Sequence, residues 1–303
     1  MMELYGTGIK KKIFTCLFHG ISQEHQVKLL EDLILTLSNR QRVALITTFP
    51  TVVDSRFYNG IKCYVSSEKE YVRSQKGFSN DSLDWIMSFK SGDIFYDIGA
   101  NIGTFSLIVS KHFNGKIKVF SFEPTFSTFA SLIQNVRVNK FENTMSCFQI
   151  ALGNSTQIGK FNYQSIEPGS SLHTFMTLKD YKGENYQPVF HHDMMCFALD
   201  DFIEIFKLPL PTHIKIDVDG TEPDILKGLS KTLKTGAVKS VLIEIVDTKE
   251  NDERTASIIN SFQNSGFSIE KIFSHNKIQK NVFPKISDYL FINNKNNAID
   301  KKP

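Results

Sequence analysis

The run "KIDVDGTE" gathers Lys215, Asp217, Asp219 and Glu222 at one place in the chain. Lys215 and Asp217 alternate with Ile214 and Ile216, the period of a strand, so Asp219 and Glu222 fall on the loop and helix start just beyond its end. Open α/β sheets bind ligands at the carboxyl ends of their strands. Charged groups gathered there suit removal of a proton from a hydroxyl and electrostatic support of a reacting centre. Asp217 and Asp219 are the leading catalytic candidates, with Lys215 behind them and Glu222 as a candidate for binding the substrate. Plainer roles compete: Lys215 can pair with Asp217 inside the sheet, and Glu222 can favour a helix N-terminus. The two aspartates also have the oxygen-donor chemistry of a Mg²⁺ site, which would acidify a sugar hydroxyl. His173, in "PGSSLHTF", is a further candidate base, whereas the polar run His191, His192 and Asp193 reads more simply as solvated loop.

A second stretch, "DIFYDIGANIGTFS" over residues 93–106, has the form of a strand, a glycine-bearing turn and a helix. Gly99 and Gly103 let backbone approach a ligand closely, although a tight connection without any ligand would use them too. Glu123 follows Gly99 by about twenty residues, at the end of the next apolar run, where a carboxylate accepts hydrogen bonds from ribose hydroxyls. Two ligands share that ribose. A dinucleotide would bring phosphate charges over the turn, where Asp97 repels them, and it expects glycine where Asn101 stands. S-adenosylmethionine brings an ammonium and a sulfonium, which Asp97 attracts. The residues favour S-adenosylmethionine.

Taken in order, "FYDIGANIGTFS", "FSFEP", "ALG", "HIKIDVDGTE" and "VLIEI" resemble the FkbM family of class I S-adenosylmethionine-dependent methyltransferases. The resemblance covers roughly the last two thirds of the chain, a domain-sized span. It implies an α/β fold with a doubly wound, seven-stranded, mostly parallel Rossmann-like sheet whose last strand is antiparallel. It also implies methyl transfer to a hydroxyl of a sugar, glycan precursor or secondary metabolite. On matching positions, Asp97, Gly99, Asn101 and Gly103 would line the methionine part of the cofactor, Glu123 would hold the ribose, and Ala151 and Leu152 would lie near adenine. The chain departs from the pattern at Asp219, where the family often has Glu, and at Thr221, where Ala is frequent. Methylation of amino groups is disfavoured, because Asp217-Val218-Asp219-Gly220 stands in place of an Asn/Asp-Pro-Pro-aromatic element. A non-catalytic nucleotide-binding or scaffolding module of the same fold is the alternative.

The elements that must position these residues follow from periodicity. From Asp93 onward, short apolar runs alternate with helical ones, the mark of β-α units. The strand-like runs are "IFYDIG", "KVFSFEP", "MSCFQIALG", "HIKIDVDG", "VKSVLIEIV", "FSIEKIF" and "SDYLFINN". Between residues 154 and 210 the alternation gives way to a hairpin-like, loop-rich insertion, expected to carry part of the substrate site. Residues 1–90 read as an α+β extension: an amphipathic helix with Ser22 as N-cap and Leu30, Leu33, Ile34 and Leu37 on one face, a hairpin with Asn59-Gly60 in a type I′ turn, and a short helix capped at Ser79 or Asn80. The expected divisions are 1–90 as a cap over the substrate, 91–293 as the methyltransferase domain and 294–303 as a disordered polar tail.

Composition limits the partners. A chain of 303 residues with 41% hydrophobic content buries an ordinary core, and its 26 phenylalanines serve mainly to fill it. Lys+Arg 35 against Asp+Glu 32 leaves a net charge of +3, too small to select nucleic acid or an acidic membrane. The partner expected is a small molecule or a glycan. Cys16, Cys63, Cys147 and Cys196 are scattered, as suits a reducing compartment. The apolar patch at residues 13–18 is too short for a signal-peptide core, and no run reaches membrane-spanning length. These features give a cytoplasmic expectation.

Overall fold

The computed structural model of the protein describes residues 22–41, 51–249, 252–274 and 284–297. Cys16 and the patch at 13–18 lie outside them. The chain forms two compact units, Met1–Pro50 and Thr51–Pro303. In the first, helix α1 (Gln23–Thr36) begins at Ser22, whose Oγ accepts the His25 amide. The side chains of Leu30 and Leu33 are outside the described residues.

The second unit opens with strands β1 (Thr51–Asp54) and β2 (Lys62–Val65), then helices α2 (Glu68–Gln75) and α3 (Asn80–Met87). So the hairpin and short helix of residues 51–90 pack in the same unit as the α/β domain. The hairpin differs from the sequence expectation. Its strands pair from Thr51↔Val65 to Asp54↔Lys62, upstream of the run expected to form the first strand, and of Asn59 and Gly60 only Gly60 adopts a positive φ, 76°. A type I′ turn needs both. The intervening loop instead sends Phe57 into the core. Helix α3 starts where expected, with Ser79 Oγ accepting the Ser82 amide, and buries Trp85 and Ile86.

The main sheet contains β3 (Ile94–Ile98), β4 (Lys118–Phe122), β5 (Met145–Phe148), β10 (His213–Ile216), β11 (Ser240–Asp247), β12 (Phe267–Ser274) and β13 (Lys285–Asn293). Its order is β12-β13-β11-β10-β3-β4-β5, parallel from β11 through β5, with β13 antiparallel to both neighbours. This is the seven-stranded sheet expected from the sequence. Helices α4 (Thr104–His112), α5 (Phe126–Asn139), α6 (Leu199–Phe206), α7 (Glu222–Gly228), α8 (Ser230–Lys234) and α9 (Glu253–Asn264) cover it. Period two divides the core. Tyr96, Phe120, Ile214 and Ile243 pack with Phe202 of α6, Ile225 of α7 and Phe262 of α9, while Phe95, Val119 and Leu242 pack on the other side with Trp85 of α3, Leu107 of α4 and Leu132 of α5.

The third apolar run does not stay in one sheet. β5 ends at Phe148, and β6 (Ala151–Leu152) joins a second sheet with β7 (Gln157–Tyr163), β8 (Thr174–Phe175) and β9 (Phe190–Phe197), ordered β6-β9-β7-β8. The expected insertion is therefore a small sheet with its own core of Phe161, Tyr163, Met194 and Cys196. Asn294–Asn297 forms a short helix, α10, where a disordered tail was expected; residues 298–303 lie outside the described set.

Two polar constructions fasten residues 51–90 to the sheet. Asn135 of α5 is fully buried; its Oδ1 accepts the Tyr64 amide at 2.6 Å and its Nδ2 donates to the Ile102 carbonyl at 2.8 Å, joining the hairpin to the glycine turn. Asn135→Ala strips a partner from each buried group and is expected to cost about 2–4 kcal/mol in chemical denaturation. A loss under about 0.5 kcal/mol would contradict this. At the opposite end of the strands, His213 Nε2 meets Asp93 at 3.0 Å and Nδ1 meets Ser240 Oγ at 2.7 Å, and Trp85 Nε1 donates to the same Oγ at 2.8 Å. Lys239 reaches Asp93 at 2.6 Å, and Phe89 stacks on the imidazole with ring centres 3.8 Å apart. Burial opposes the charge on Asp93, but the His213 and Lys239 hydrogen bonds outweigh it and hold its carboxyl well below the usual range.

Candidate active site

The glycine turn is shaped by what lies beneath it. Gly99 has φ 78°, and a Cβ there would stand 2.0 Å from the Asp217 carbonyl oxygen, so the turn lies directly on the backbone that leaves β10. The Gly99 and Ala100 amides both donate to the Phe122 carbonyl at 3.0 Å, drawing the turn against the end of β4. Asn101, at φ 51°, donates its amide to Glu123 Oε2 at 2.9 Å and its Nδ2 to the Ser170 carbonyl at 3.0 Å. Asparagine is among the few residues that enter this region cheaply.

Glu123 sits at the end of β4 and is 4% exposed. Its other oxygen accepts the Thr125 amide at 2.9 Å. Burial raises its pKa against the opposing hydrogen bonds from Thr125 and Asn101. Across the strand ends, Asp219 accepts the Leu172 amide. Burial lifts Asp219 to about 6, with the Leu172 bond opposing the shift. Lys215 is buried and contacts Asp217 at 2.6 Å. Burial works against its charge, but Asp217, Asp97 and Asp288 outweigh it and raise its pKa.

These elements surround a cavity of roughly 270 Å³ at the carboxyl ends of the parallel strands. Gly99, Asn101, Glu123, Asp217 and Asp219 line one part of it, and Ala151 and Leu152 form an apolar wall with Phe122 and Ile150. His173 also lines it. Its Nδ1 accepts the Gln164 amide at 3.3 Å, while its buried Nε2 has no hydrogen-bond partner among the described residues. Burial and the charge of Lys69 lower its pKa to about 4, so the ring is neutral at pH 7.

Other candidates fall elsewhere. Asp97 and Gly103 are not among the lining residues. Asp97 is 1% exposed and accepts both the Ser106 amide and hydroxyl, the latter at 2.6 Å. Burial raises its pKa despite Lys215. Glu222 pairs with Arg254 behind the cavity wall and accepts the Gly220 amide at 3.1 Å; burial lifts it to about 7, opposed by Arg254. His191, His192 and Asp193 lie on β9, away from the cavity lining, with Asp193 paired to Lys160 at 2.8 Å.

The Mg²⁺ expectation gains no support. Asp217 is engaged by Lys215 and Asp219 by the Leu172 amide, and among the described residues no group of three or more His, Cys, Asp or Glu is arranged to hold a metal.

The structure adds residues that the sequence reading did not single out. Arg73 of α2 and Lys76, its C-cap, reach the cavity, as do Ser170, Ser171 and Glu244. Glu244 carried a signal, a carboxylate in the otherwise apolar run "SVLIEIV". Arg73 carried none, since its place depends on long-range contacts. Ser67 Oγ donates to the Pro168 carbonyl at 2.7 Å, Lys69 Nζ to Ser170 Oγ at 3.0 Å, and Arg73 Nε to the Gly169 carbonyl at 2.6 Å. With Asn101 on Ser170 and Asp219 on Leu172, these bonds fix the loop over the cavity from three directions.

Residues 97–269 match the model of the FkbM methyltransferase domain, more than half of the chain. A hexuronic acid methyltransferase, AglP, of Haloferax volcanii is 30% identical over 165 residues, 52% of this chain and 59% of that protein. Methyltransferase 1 of Beauveria bassiana is 24% identical over 194 residues, 61% of this chain and 76% of that protein. Among solved structures, the FkbM methyltransferase of Methylobacillus flagellatus KT aligns with TM-score 0.42 and 16% identity, covering 66% of this chain and 44% of that one. This chain thus spans less than two thirds of the haloarchaeal relative's length.

Proposed function

The chain belongs to the FkbM methyltransferase family, and from that premise we propose that it transfers a methyl group from S-adenosylmethionine to a hydroxyl of a sugar or glycan precursor. The observation that carries the reading is one cavity that joins the amide-anchored carboxylate of Glu123, an apolar slot and the buried carboxylate of Asp219 with its raised pKa. S-adenosylmethionine supplies an electrophilic methyl group on a sulfonium. Glu123 has both oxygens anchored by backbone amides and so presents a fixed acceptor for ribose hydroxyls. Phe122, Ile150, Ala151 and Leu152 offer the apolar surface that an adenine ring requires. Asp217, held by Lys215, places negative charge beside the turn, where an ammonium would be received.

Asp219 fits the general base best, because a carboxylate with a pKa near 6 is ionised at neutral pH yet more basic than an ordinary aspartate. His173, lowered to about 4, is a weak base and suits a hydrogen-bonding role. The name of the haloarchaeal relative supports a sugar acceptor. The test is S-adenosylhomocysteine calorimetry. Wild type is expected to bind, and Glu123→Gln to bind about tenfold to a hundredfold more weakly through loss of a charged acceptor. Wild type that fails to bind S-adenosylhomocysteine would sink the proposal.

A further inference from the structure

Of the residues lining the cavity, two fall outside the span 97–269 that the family shares, and both are cations: Arg73 and Lys76. Cofactor binding is the common task of such a span. Residues added to the cavity from outside it face what differs between members, namely the acceptor. We infer that the acceptor carries an anionic group, a carboxylate or a phosphate, received by Arg73 and Lys76; this rests on the methyltransferase reading above.

The helix that bears them is built to hold still. Ser67 and Glu70 form a reciprocal capping box at the start of α2, and Glu70 is fully buried, accepting the Ser66 and Ser67 amides at 2.6 and 3.1 Å. Arg73 follows in the last turn, only partly buried. Its Nε is committed to the Gly169 carbonyl, which fixes the plane of the guanidinium. Its two Nη groups donate no hydrogen bond within the described residues. A planar fork with one edge anchored and the other open is the geometry that accepts a carboxylate or phosphate.

The surrounding charges agree with this assignment. Arg73 acts electrostatically on both Glu123 and Asp219, so its charge is felt on the ribose side and at the proposed base. Lys69, one turn earlier, is already occupied by Glu167 at 3.2 Å and by Ser170. Lys76, exposed at the C-cap of α2, makes no ion pair among the described residues. Among the described residues neither cation is in an ion pair, so the cavity offers both to an anion, together with the carboxylates of Glu123, Asp217, Asp219 and Glu244 that also line it.

The experiment compares three sugars that differ only at C6: glucose, glucuronate and glucose 6-phosphate, each titrated into protein saturated with S-adenosylhomocysteine. At least one anionic sugar is expected to bind about tenfold or more tightly than glucose, and the better of the two distinguishes carboxylate from phosphate. Arg73→Gln and Lys76→Gln are each expected to reduce that preference while leaving S-adenosylhomocysteine affinity within about twofold of wild type. Lys76→Gln decides the matter if Arg73→Gln loosens the loop through Gly169. Equal binding of all three sugars, binding of none, or a tenfold loss of S-adenosylhomocysteine affinity in the variants overturns the inference; the last outcome assigns these cations to the cofactor. Failure of wild type to bind S-adenosylhomocysteine at all is seen before any sugar is added, and it removes the methyltransferase reading together with this one.

Discussion

Asp219→Asn is expected to lower methyl transfer about a hundredfold to ten-thousandfold, the range for loss of a general base, with S-adenosylhomocysteine affinity unchanged within about twofold. Asparagine keeps an oxygen for the Leu172 amide, so the loop over the cavity stays in place while the proton acceptor is lost. A general base acts in its deprotonated form, here the carboxylate. Because burial lifts Asp219 to about 6, kcat/KM should fall as pH drops through that value. The residual rate of the variant should lack this acid limb. Stability should move the other way. In the unfolded chain the group titrates near its ordinary 3.8, so folding favours the protonated form, and this contribution is lost as pH rises from about 4 through about 6. The Asn variant should therefore be at least as stable as wild type at pH 8. Activity within a few-fold of wild type, or an acid limb near 4, would remove Asp219 from the role.

Gly99→Ala is expected to cost about 3 kcal/mol or more and to abolish S-adenosylhomocysteine binding. Holding alanine in the left-handed region costs about 1–2 kcal/mol. The larger contribution is steric, since the new methyl would stand 2.0 Å from the Asp217 carbonyl oxygen and 3.1 Å from Val218 Cγ1. Relief requires moving the turn or the segment that carries Asp217 and Asp219. Gly92→Ala is the control, because Gly92 has a similar φ of 91° and nothing within 4 Å of its added Cβ. The difference in melting temperature between the two variants isolates the clash, expected at roughly 2–4 °C for each kcal/mol. Equal shifts would mean that conformation alone explains Gly99.

Much of the sheet could be read in the sequence because its strands are buried on both faces and its helices are short and well signalled. Phe95 and Tyr96, neighbours in sequence, enter different cores, as the strand period requires. The run "MSCFQIALG" looks like one strand because periodicity does not reveal a change of partner: Met145 pairs with Val119, but Ala151 pairs with Cys196 in the other sheet. At the site, the sequence marks which residues end a strand but not the side to which they turn. Asp97 pairs in register with Lys215, so the two share a face of the parallel sheet, and Asp97 is taken up by Lys215 and Ser106 below the cavity. Gly99 was legible as a point of close approach, but what approaches it in the structure is the protein's own backbone. Arg73 was not legible at all, since only the folded loop at Pro168–Ser170 gives it a direction.

The His213, Asp93, Ser240 and Trp85 cluster bears on modular exchange. Trp85 supplies a donor to Ser240 from outside the family-matched span, and Phe89 closes over the imidazole. A protein begun at residue 91 would uncover the Ser240 hydroxyl and one face of His213, both now within the core. The α/β domain therefore does not separate cleanly at its first parallel strand. Grafting onto another acceptor-recognition module has its natural seam instead at Thr51, where the second compact unit begins.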